Sequence, residues 1–396
     1  MNHVLFNFHD VILLMTALLC VCFATLLLAT NPPKNISNYF LAAFLIAHAL
    51  IPLHELILWG ATFKFTVREN FPNTIFVAGF AYYLDAVLLY FYVKSLAFHD
   101  FRPTRKDAYH LAPLALFTIY MLVVFYRFPF STRIDWINTE IFVYSKQYIA
   151  ADFICKMLRV FYCIASFMLI LKYRSLLTAT RSSIEKINIL WLKILVVGFL
   201  VITIMEAILS LAKLIGIITN FDFQHYSLYL FELIGLSGYY ALFVLVVTLV
   251  FTSMRYFVNF ESISQPEEIE QPKKLMPEKL LNPEYAERID GLMRKEKPYL
   301  LPDITLDILA EKLSMPAKDF SMIINRHFES NFYEFINGYR IEEAKLLLKD
   351  TNNNVKTITD IYLEVGFNSK SVFNTFFKKI VGTTPSEYRH QKNPIL

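Results

Sequence analysis

The stretch Ile361–Tyr388, IYLEVGFNSKSVFNTFFKKIVGTTPSEY, decides how this chain is organised. Its apolar residues recur at helical spacing on both sides of Gly366, a residue type that suits the left-handed turn after a helix. The spacing predicts one helix over Thr357–Val365 and a second over Lys370–Val381, which Gly382 ends. Two short helices joined by such a turn form a helix-turn-helix motif.

The residues before this stretch predict a second motif of the same kind. Thr305 is a suitable N-cap for a helix that Ser314–Pro316 breaks, and another helix follows over Ala317–Phe328. A longer helix is predicted over Phe332–Lys349, and at ~1.5 Å per residue it spans roughly 30 Å. That length is close to the ~34 Å between successive major-groove faces of a DNA duplex. The long helix is therefore expected to link two motifs that contact DNA together.

Charge favours a nucleic-acid partner only locally. Residues 255–396 hold 20 basic and 21 acidic side chains, so this part of the chain is not a generic polycation. Residues 351–396, however, hold six basic and three acidic side chains, and the predicted helix Lys370–Val381 carries three lysines and no acid. Any affinity for nucleic acid must therefore come from this local cluster.

The C-terminal pattern resembles a known family. The spacing of GFNSKSVFNTFFKKIVGTTPSEYR, residues 366–389, is similar to the signature of AraC-type transcriptional regulators, and FSMIINRHFESNFYEFINGYRIEEAKLLL, residues 320–348, resembles their first motif and linker helix. The resemblance covers about residues 284–390. It implies two helix-turn-helix motifs that bind promoter DNA sequence-specifically. Tyr362 stands where the family usually has alanine, which implies local repacking.

The same resemblance indicates which side chains would contact DNA. Lysine can donate to guanine and asparagine can pair with adenine, whereas contacts to phosphate set the register of the protein on the duplex. The side chains of Lys378 and Lys379 suit contacts with DNA phosphate groups. Some of the candidate base contacts are expected to be solvated helix-face residues instead. The candidates are Lys318, Ser321, Met322 and Asn325 in the first motif, and Lys370, Ser371, Asn374 and Thr375 in the second.

The chain before residue 255 is too apolar for a soluble domain. The whole chain is 56% hydrophobic, and about 20 apolar residues suffice for a helix to cross a bilayer. The predicted fold is therefore all-α, a seven-helix transmembrane bundle followed by a cytoplasmic domain of two helix-turn-helix motifs joined by a linker helix. The seven predicted spans are Val11–Ala29, Phe40–Gly60, Ile75–Ser95, Leu111–Tyr126, Tyr148–Leu171, Ile189–Ala212 and Leu228–Met254.

Basic residues in the connections predict the orientation, because cytoplasmic loops carry an excess of Lys and Arg. With the N-terminus outside, the inner segments hold ten of them and the outer segments six. An odd number of spans then places the charged C-terminal part in the cytoplasm, where DNA is found. We therefore expect a multi-pass protein of the bacterial inner (cytoplasmic) membrane, with its N-terminus outside and its C-terminal domain cytoplasmic.

A proline-rich segment separates the two parts. Residues 261–285, ESISQPEEIEQPKKLMPEKLLNPEY, contain four prolines and charges of both signs, a composition typical of a semi-extended tether. The predicted domains are a membrane part over 1–254, a flexible linker over 255–283 and a DNA-binding domain over 284–396.

Several ionisable residues fall inside the predicted spans, where they are expensive and usually face the bundle interior or water. Asp152 and Lys156 are spaced i, i+4, which favours a local pair. Other carboxylates lack an obvious partner on their own span. One interpretation is a sensor pocket that binds a small ligand or responds to protons, and the other is hydrogen bonding that merely holds the bundle together. The candidate pocket residues are His48, His54, Glu55, Asp85, Glu206 and Glu232.

No catalytic or metal site is predicted. The four cysteines lie in apolar runs without a CxxC pair, and neither an HExxH nor a G-x-S-x-G motif occurs. We therefore expect no enzyme activity, no metal and no cofactor.

Together these patterns predict a one-component regulator in which the membrane part senses a signal and the C-terminal part binds DNA. The expected partners are double-stranded promoter DNA, the lipid bilayer and an unknown small-molecule ligand, with RNA polymerase and a second copy of the chain as candidates. Two alternatives stay open: a membrane transporter or enzyme with a regulatory DNA-binding tail, and a regulator that its spans anchor passively.

Overall fold

The computed structural model describes residues 6–30, 36–98, 100–183, 190–219, 223–256, 283–349 and 356–392. They form two compact units, each made from two stretches of the chain. The first unit falls within Met1–Ile170 and Ile189–Gln265, and the second within Leu171–Asn188 and Pro266–Leu396. The described secondary structure is helical, and no strand longer than an isolated β-bridge occurs in these ranges.

The first unit contains long apolar helices. Among the described residues, six segments are long and apolar enough to cross a membrane: Phe8–Ala29, Ile36–Trp59, Pro72–Ala97, Arg105–Tyr126, Lys146–Thr180 and Leu190–Thr219. The seventh predicted span falls on the last helix of this unit, in which Leu233–Leu249 is a shorter apolar stretch. The α-helices are α1 (Phe8–Thr30), α2 (Ile36–Trp59), α3 (Phe63–Asn70), α4 (Asp85–Ala97), α5 (Ala112–Met121), α6 (Phe130–Asn138), α7 (Lys146–Thr180, whose last turns belong to the second unit), α8 (Leu190–Thr219) and α9 (Phe223–Tyr256).

The predicted span Ile75–Ser95 is not one continuous α-helix. The segment Pro72–Ala97 begins with 3₁₀ turns, the longer of which is Ala78–Tyr83, before α4 starts. The imidazole of His54 packs directly on Gly79, where a Cβ would lie only 2.9 Å from its Cε1 atom. Irregular backbone at membrane depth is tolerated where it is buried in protein or lines a cavity. The interruption therefore indicates that a cavity or binding site lies beside this segment.

The part of the second unit that the structure describes contains seven further α-helices. One of them, α10, was not predicted from the sequence, although its buried Ile289 and Met293 show the i, i+4 spacing of a helix packed on one face. The predicted flexible linker 255–283 lies almost entirely outside the described residues. The helices are α10 (Pro283–Glu296), α11 (Leu306–Lys312), α12 (Ala317–His327), α13 (Phe332–Lys349), α14 (Ile358–Glu364), α15 (Lys370–Val381) and α16 (Pro385–Lys392).

Two hydrophobic cores occupy the two ends of α13. Phe335 and Ile336 in its first half pack into a core with α10, α11 and α12. Ala344 and Leu348 in its second half pack into another core with α14, α15 and α16. We call residues 283–336 the first head and residues 341–392 the second head. Among the described residues, the buried members of both cores lie within 289–388.

Candidate DNA interface and membrane cavity

The helix-turn-helix of the first head is formed by α11 and α12. Thr305 begins α11, and its Oγ1 accepts a hydrogen bond from the backbone N–H of Ile308 at 3.3 Å. Ser314 makes the turn with a φ of 54°. The next helix, α12, buries Phe320 and Ile323 completely in the core of the first head. Its opposite face is left accessible.

Three of the four candidate base contacts in the first head lie on that accessible face. Lys318 and Asn325 are exposed, and Ser321 is half-buried. Met322 is also half-buried, but its side chain packs against the core of the first head. The accessible polar groups of α12 are therefore an ammonium, an amide and a hydroxyl, which are the groups that donate to base edges and phosphates.

The second helix-turn-helix is formed by α14 and α15. Thr357 and Asp360 cap α14 reciprocally, with N–H to side-chain oxygen distances of 2.8 and 3.1 Å. The hydrogen bond from the Thr357 hydroxyl lowers the pKa of the Asp360 carboxyl. Gly366 makes the turn with a φ of 90°, and a Cβ there would lie 2.7 Å from the carbonyl oxygen of Leu300. Only glycine fits this turn without displacing backbone.

The second helix of this motif, α15, carries most of the candidate contacts of the second head on its surface. Asn374 is half-buried. Lys379 is exposed, but its Nζ donates to Glu334 Oε1 at 2.9 Å, an ion pair with the start of α13. The ring of Tyr362, the residue that departs from the family pattern, packs against the core of the second head. The exposed candidates on α15 are Lys370, Ser371, Thr375 and Lys378.

Arg340 of α13 is a buried cation at the junction of the two heads, and sequence analysis did not single it out. Its side chain is only 1% exposed. The Nε atom donates to the carbonyl oxygen of Tyr299 at 2.7 Å, and Nη2 donates to that of Leu301 at 2.8 Å. The guanidinium carbon lies 5.6 Å from the ring centroid of Phe367. Arg340 therefore ties α13 to the segment before α11 and to the turn of the second head.

Residues Arg181–Ser183, which follow α7 and belong to the second unit, lie against the same junction, and we call them the docking segment. Arg181 forms an antiparallel β-bridge with Thr305. Ser182 is 1% exposed, its hydroxyl donates to the carbonyl oxygen of Ile304 at 2.7 Å, and its own carbonyl oxygen accepts from Arg340 at 3.3 Å. The hydroxyl of the next residue accepts from the Asn368 amide at 2.8 Å. The docking segment thus contacts both heads and α13.

The first unit holds a buried network of four charged side chains. Arg159 of α7 donates to Asp85 at the start of α4, with an Nη2–Oδ2 distance of 2.8 Å, and also to Glu206 of α8. Lys156 donates to the same Glu206 carboxylate at 3.1 Å. Lys156 therefore forms its salt bridge with Glu206 of α8 and not with Asp152, the partner expected from the i, i+4 spacing, although the Asp152 carboxylate also acts on the ammonium electrostatically.

A cavity of about 840 Å³ borders this network, and its lining is acidic and aromatic. Glu55 accepts a hydrogen bond from the Tyr82 hydroxyl at 2.7 Å. Asp152 accepts one from the Ser210 hydroxyl at 2.6 Å. The network contributes Lys156 and Glu206 to the lining. Further aromatic rings of the lining are Trp59, Phe76, Tyr83, Phe117, Tyr144, Tyr148 and Tyr239.

The structure places only part of the candidate pocket at this cavity. His48 and Asp85 lie in the ion network, with His48 Nδ1 3.4 Å from Asp85 Oδ2, and neither lines the cavity. The side chain of Glu232 lies outside the described residues. Lys156, Asp152 and the tyrosines were not among the candidates, since nothing local in the sequence singles them out. The candidates that line the cavity are His54, Glu55 and Glu206.

The described residues contain no group of three His, Cys, Asp or Glu side chains that could hold a metal ion.

Comparison with known proteins places the C-terminal helices in a family. The chain matches the helix-turn-helix domain family over residues 309–391. It is 35% identical over 86 residues to the melibiose operon regulatory protein of Escherichia coli (strain K12), which covers 22% of this chain and 28% of that protein. It is 36% identical over 93 residues to an HTH-type transcriptional regulator of Staphylococcus aureus (strain COL), covering 24% and 12% of the two chains.

A third relative, the HTH-type transcriptional regulator YtdP of Bacillus subtilis (strain 168), is 32% identical over 90 residues, which are 23% of this chain and 11% of that protein. The chain thus spans less than a third of the length of these relatives, and no solved structure was found to match it. The matched region begins in α11 and ends in α16, so it covers both motifs and the helix between them. Residues 309–391 are therefore an AraC-type helix-turn-helix domain.

Proposed function

We propose that this protein is a membrane-embedded, one-component transcriptional regulator, which binds promoter DNA sequence-specifically in response to a signal sensed by its membrane part. One observation carries the proposal: a single chain holds an AraC-type domain and six helices long and apolar enough to cross a membrane, with a charged cavity among them. The matched relatives are named as transcriptional regulators, which supports a regulator rather than an enzyme.

In this proposal α9 is the seventh span, and the two heads lie in the cytoplasm of a bacterium. Residues 1–254 form the membrane domain, 255–283 the linker and 284–396 the DNA-binding domain. The exposed residues on α12 and α15 contact base edges, and Lys378 contacts phosphate. Met322 and Lys379 are the weakest members of the candidate set, because one packs in a core and the other is paired with Glu334.

We further propose that the docking segment carries the signal. It lies in the connection between α7 and α8, the two helices that supply Lys156 and Glu206 to the cavity. Its hydrogen bonds to Ile304 and Arg340 reach the place where the two heads meet. A ligand can shift an equilibrium only by its different affinity for the two states. The ligand must therefore favour one arrangement of α7 and α8, and with it one arrangement of the heads.

The DNA-binding claim is tested by selecting bound duplexes from a random library with the full-length protein in lipid nanodiscs. Two heads joined by one rigid helix should enrich a bipartite motif whose half-sites lie about 10 bp apart, one helical turn of DNA. The double variant Lys370→Ala, Asn374→Ala should lose one half-site and keep the other. Absence of any enriched motif would reject a sequence-specific regulator.

Transport is the second candidate function, because an interrupted span beside a cavity is typical of transporters. The described parts of α7, α8 and α9 are continuous helices, so they show no matching interruption in the other half. Uptake of a ligand into proteoliposomes, coupled to an ion gradient, would favour transport. A passive anchor is favoured instead if an unrelated transmembrane segment replaces residues 1–254 without changing the response of a reporter.

A second copy of the chain is also proposed as a partner, since one domain has a small footprint on DNA and a membrane concentrates its proteins in two dimensions. Subunit stoichiometry in nanodiscs tests this proposal. A monomer that still regulates a promoter would reject it. RNA polymerase is a further candidate partner, and co-purification with the DNA-bound protein checks it.

A further inference from the structure

The cavity of the first unit has an unbalanced charge. In the ion network the carboxylates of Asp85 and Glu206 are matched by the cations Arg159 and Lys156. Glu55 and Asp152, by contrast, accept hydrogen bonds from the neutral hydroxyls of Tyr82 and Ser210, and among the described residues no cationic group forms a salt bridge with either carboxylate. Neither carboxylate is thus in salt-bridge contact with a described cation, although Lys156 acts on Asp152 from farther away, and both can accept a positive charge from outside the protein.

Lys213 is the other basic residue of the lining, and it follows the sixth predicted span, Ile189–Ala212, in a segment predicted to lie outside the membrane. Solvent screens an exposed charge strongly, whereas charges away from water are screened much less. Lys213 therefore offsets little of the negative field deep in the cavity.

Aromatic rings of the cavity lining can also attract a cation. A cation over the face of an aromatic ring is attracted by about 0.5–2 kcal/mol. The Nζ atom of Lys156 already lies 3.9 Å from the ring centroid of Tyr82, which shows that this wall accepts a cation. The rings of Tyr148 and Tyr239 line the same space.

His54 supplies an additional polar group. It is 4% exposed and lines the cavity, and within the described residues its Nδ1 atom has no hydrogen-bond partner. In a neutral imidazole one ring nitrogen donates and the other accepts, so the unpaired Nδ1 can meet a polar group of a ligand.

We infer that the cavity binds an organic cation, an ammonium with an apolar and preferably aromatic body, with the ammonium held by Glu55 and Asp152. A volume of about 840 Å³ is in the range of sites for drug-sized ligands and far exceeds a bare ammonium ion. Glu55 and Asp152 are half-buried and accept hydrogen bonds from neutral hydroxyls. A carboxylate inside a membrane span is costly without a cation beside it, and a bound cation relieves that cost. As the signal of a regulator, this ligand rests on the function proposed above, although its binding does not.

The test uses the full-length protein in nanodiscs of pure phosphatidylglycerol and three probes of one shape. They are 2-(1-naphthyl)ethylammonium, the neutral 2-(1-naphthyl)ethanol and the anionic 3-(1-naphthyl)propanoate. The ammonium should bind saturably and at least about tenfold more tightly than the alcohol, a difference of ~1.4 kcal/mol. Glu55→Gln and Asp152→Asn should each remove most of that preference while leaving binding of the alcohol unchanged.

Glu69→Gln is the matched control, because it makes the same carboxylate-to-amide change at an exposed position that does not line the cavity. It should bind the ammonium as the unaltered protein does. Equal affinity for the ammonium and the alcohol, tighter binding of the propanoate, or no saturable binding of the ammonium would overturn the inference. The thermal unfolding midpoint of each variant shows that loss of binding is not loss of folding.

A second arm separates two sources of the ammonium. If phosphatidylethanolamine headgroups occupy the cavity, nanodiscs containing that lipid should weaken binding of the probe, and a free ligand predicts no change. The duplex-selection experiment is independent of both arms. Failure of the probe with success on DNA rejects only the ligand class, and the reverse result rejects only the regulator.

Discussion

Individual residues on α15 differ in what surrounds them, and this difference predicts how each lysine acts on DNA. Lys378 is exposed and forms no salt bridge with a described residue, whereas the Nζ of Lys379 is 2.9 Å from Glu334. In the fragment 283–396, Lys378→Ala should weaken binding to all sequences alike and lower the slope of log K against log salt by about 1. Lys379→Ala should change the slope less, because its charge is already partly neutralised.

Salt titrations of DNA binding measure both effects, with Lys295→Ala on α10 as an exposed lysine outside the recognition helices. A larger change for Lys379→Ala than for Lys378→Ala would mean that the ion pair with Glu334 opens on DNA.

Other residues show where sequence reasoning must stop. Arg159 and Asp85 are 74 residues apart, and no local pattern brings them together. The helical spacing of Asp152 and Lys156 is visible in the sequence, yet the Lys156 ammonium forms its salt bridge with the Glu206 carboxylate of α8. Arg340 looks like an ordinary helix-face cation, because its acceptors are backbone carbonyls whose position depends on the packing of the heads.

At the scale of elements, helix ends were the predictable part. The structure gives α13 and α15 the predicted bounds, and Thr305 caps α11 as expected. Thr357 was predicted as the first residue of a helix and is its N-cap instead. Helix caps and glycine turns depend on interactions within a few residues, so the local sequence is enough to predict them. The third span was not predictable in the same way, since its 3₁₀ turns depend on how His54 meets Gly79 across two segments.

The glycine turn of the second head predicts a graded set of stabilities. Gly366→Ala should lower the free energy of unfolding of the fragment 283–396 by more than about 2 kcal/mol, because it adds left-handed strain to a clash with the Leu300 carbonyl. Gly382 has a φ of 87° and open space, so Gly382→Ala should cost only the strain, about 1–2 kcal/mol. Gly338 lies in the middle of α13 with nothing within 4 Å, so Gly338→Ala should stabilise by about 0.5–1 kcal/mol.

Urea unfolding of the three variants provides the measurement. An equal decrease in the free energy of unfolding for Gly366→Ala and Gly382→Ala would show that the contact with Leu300 does not add to the destabilisation.

Weakening the contacts of the docking segment should destabilise the adjoining parts of both heads. Ser182→Val places two methyl groups where a side chain is 1% exposed and removes its hydroxyl donor to Ile304. Hydrogen exchange of the full-length protein should then rise in peptides covering 299–305 and 337–341. Ser175→Val, on an exposed position of α7, should leave the same peptides unchanged. Unchanged exchange in Ser182→Val would contradict docking at the head junction.

For the whole molecule, the number of spans decides whether the proposed mechanism is physically possible. The heads must share a compartment with DNA, so the C-terminus has to be cytoplasmic. Six spans would then put the N-terminus in the cytoplasm as well, whereas a seventh span in α9 would put it outside. The two arrangements differ in the location of one end of the chain.

An epitope tag placed before residue 1 and another after residue 396 should therefore behave differently in spheroplasts. We expect added protease to remove the N-terminal tag and to leave the C-terminal tag intact until the membrane is permeabilised. The basic residues favour this result, with ten in the inner segments against six in the outer ones. Protection of both tags would mean that α9 does not span. The connection between α7 and α8 would then lie outside the membrane, so both the seven-helix bundle and the route from the docking segment to the heads would be rejected. Removal of the C-terminal tag would separate the heads from DNA, and no regulator of the proposed kind could work.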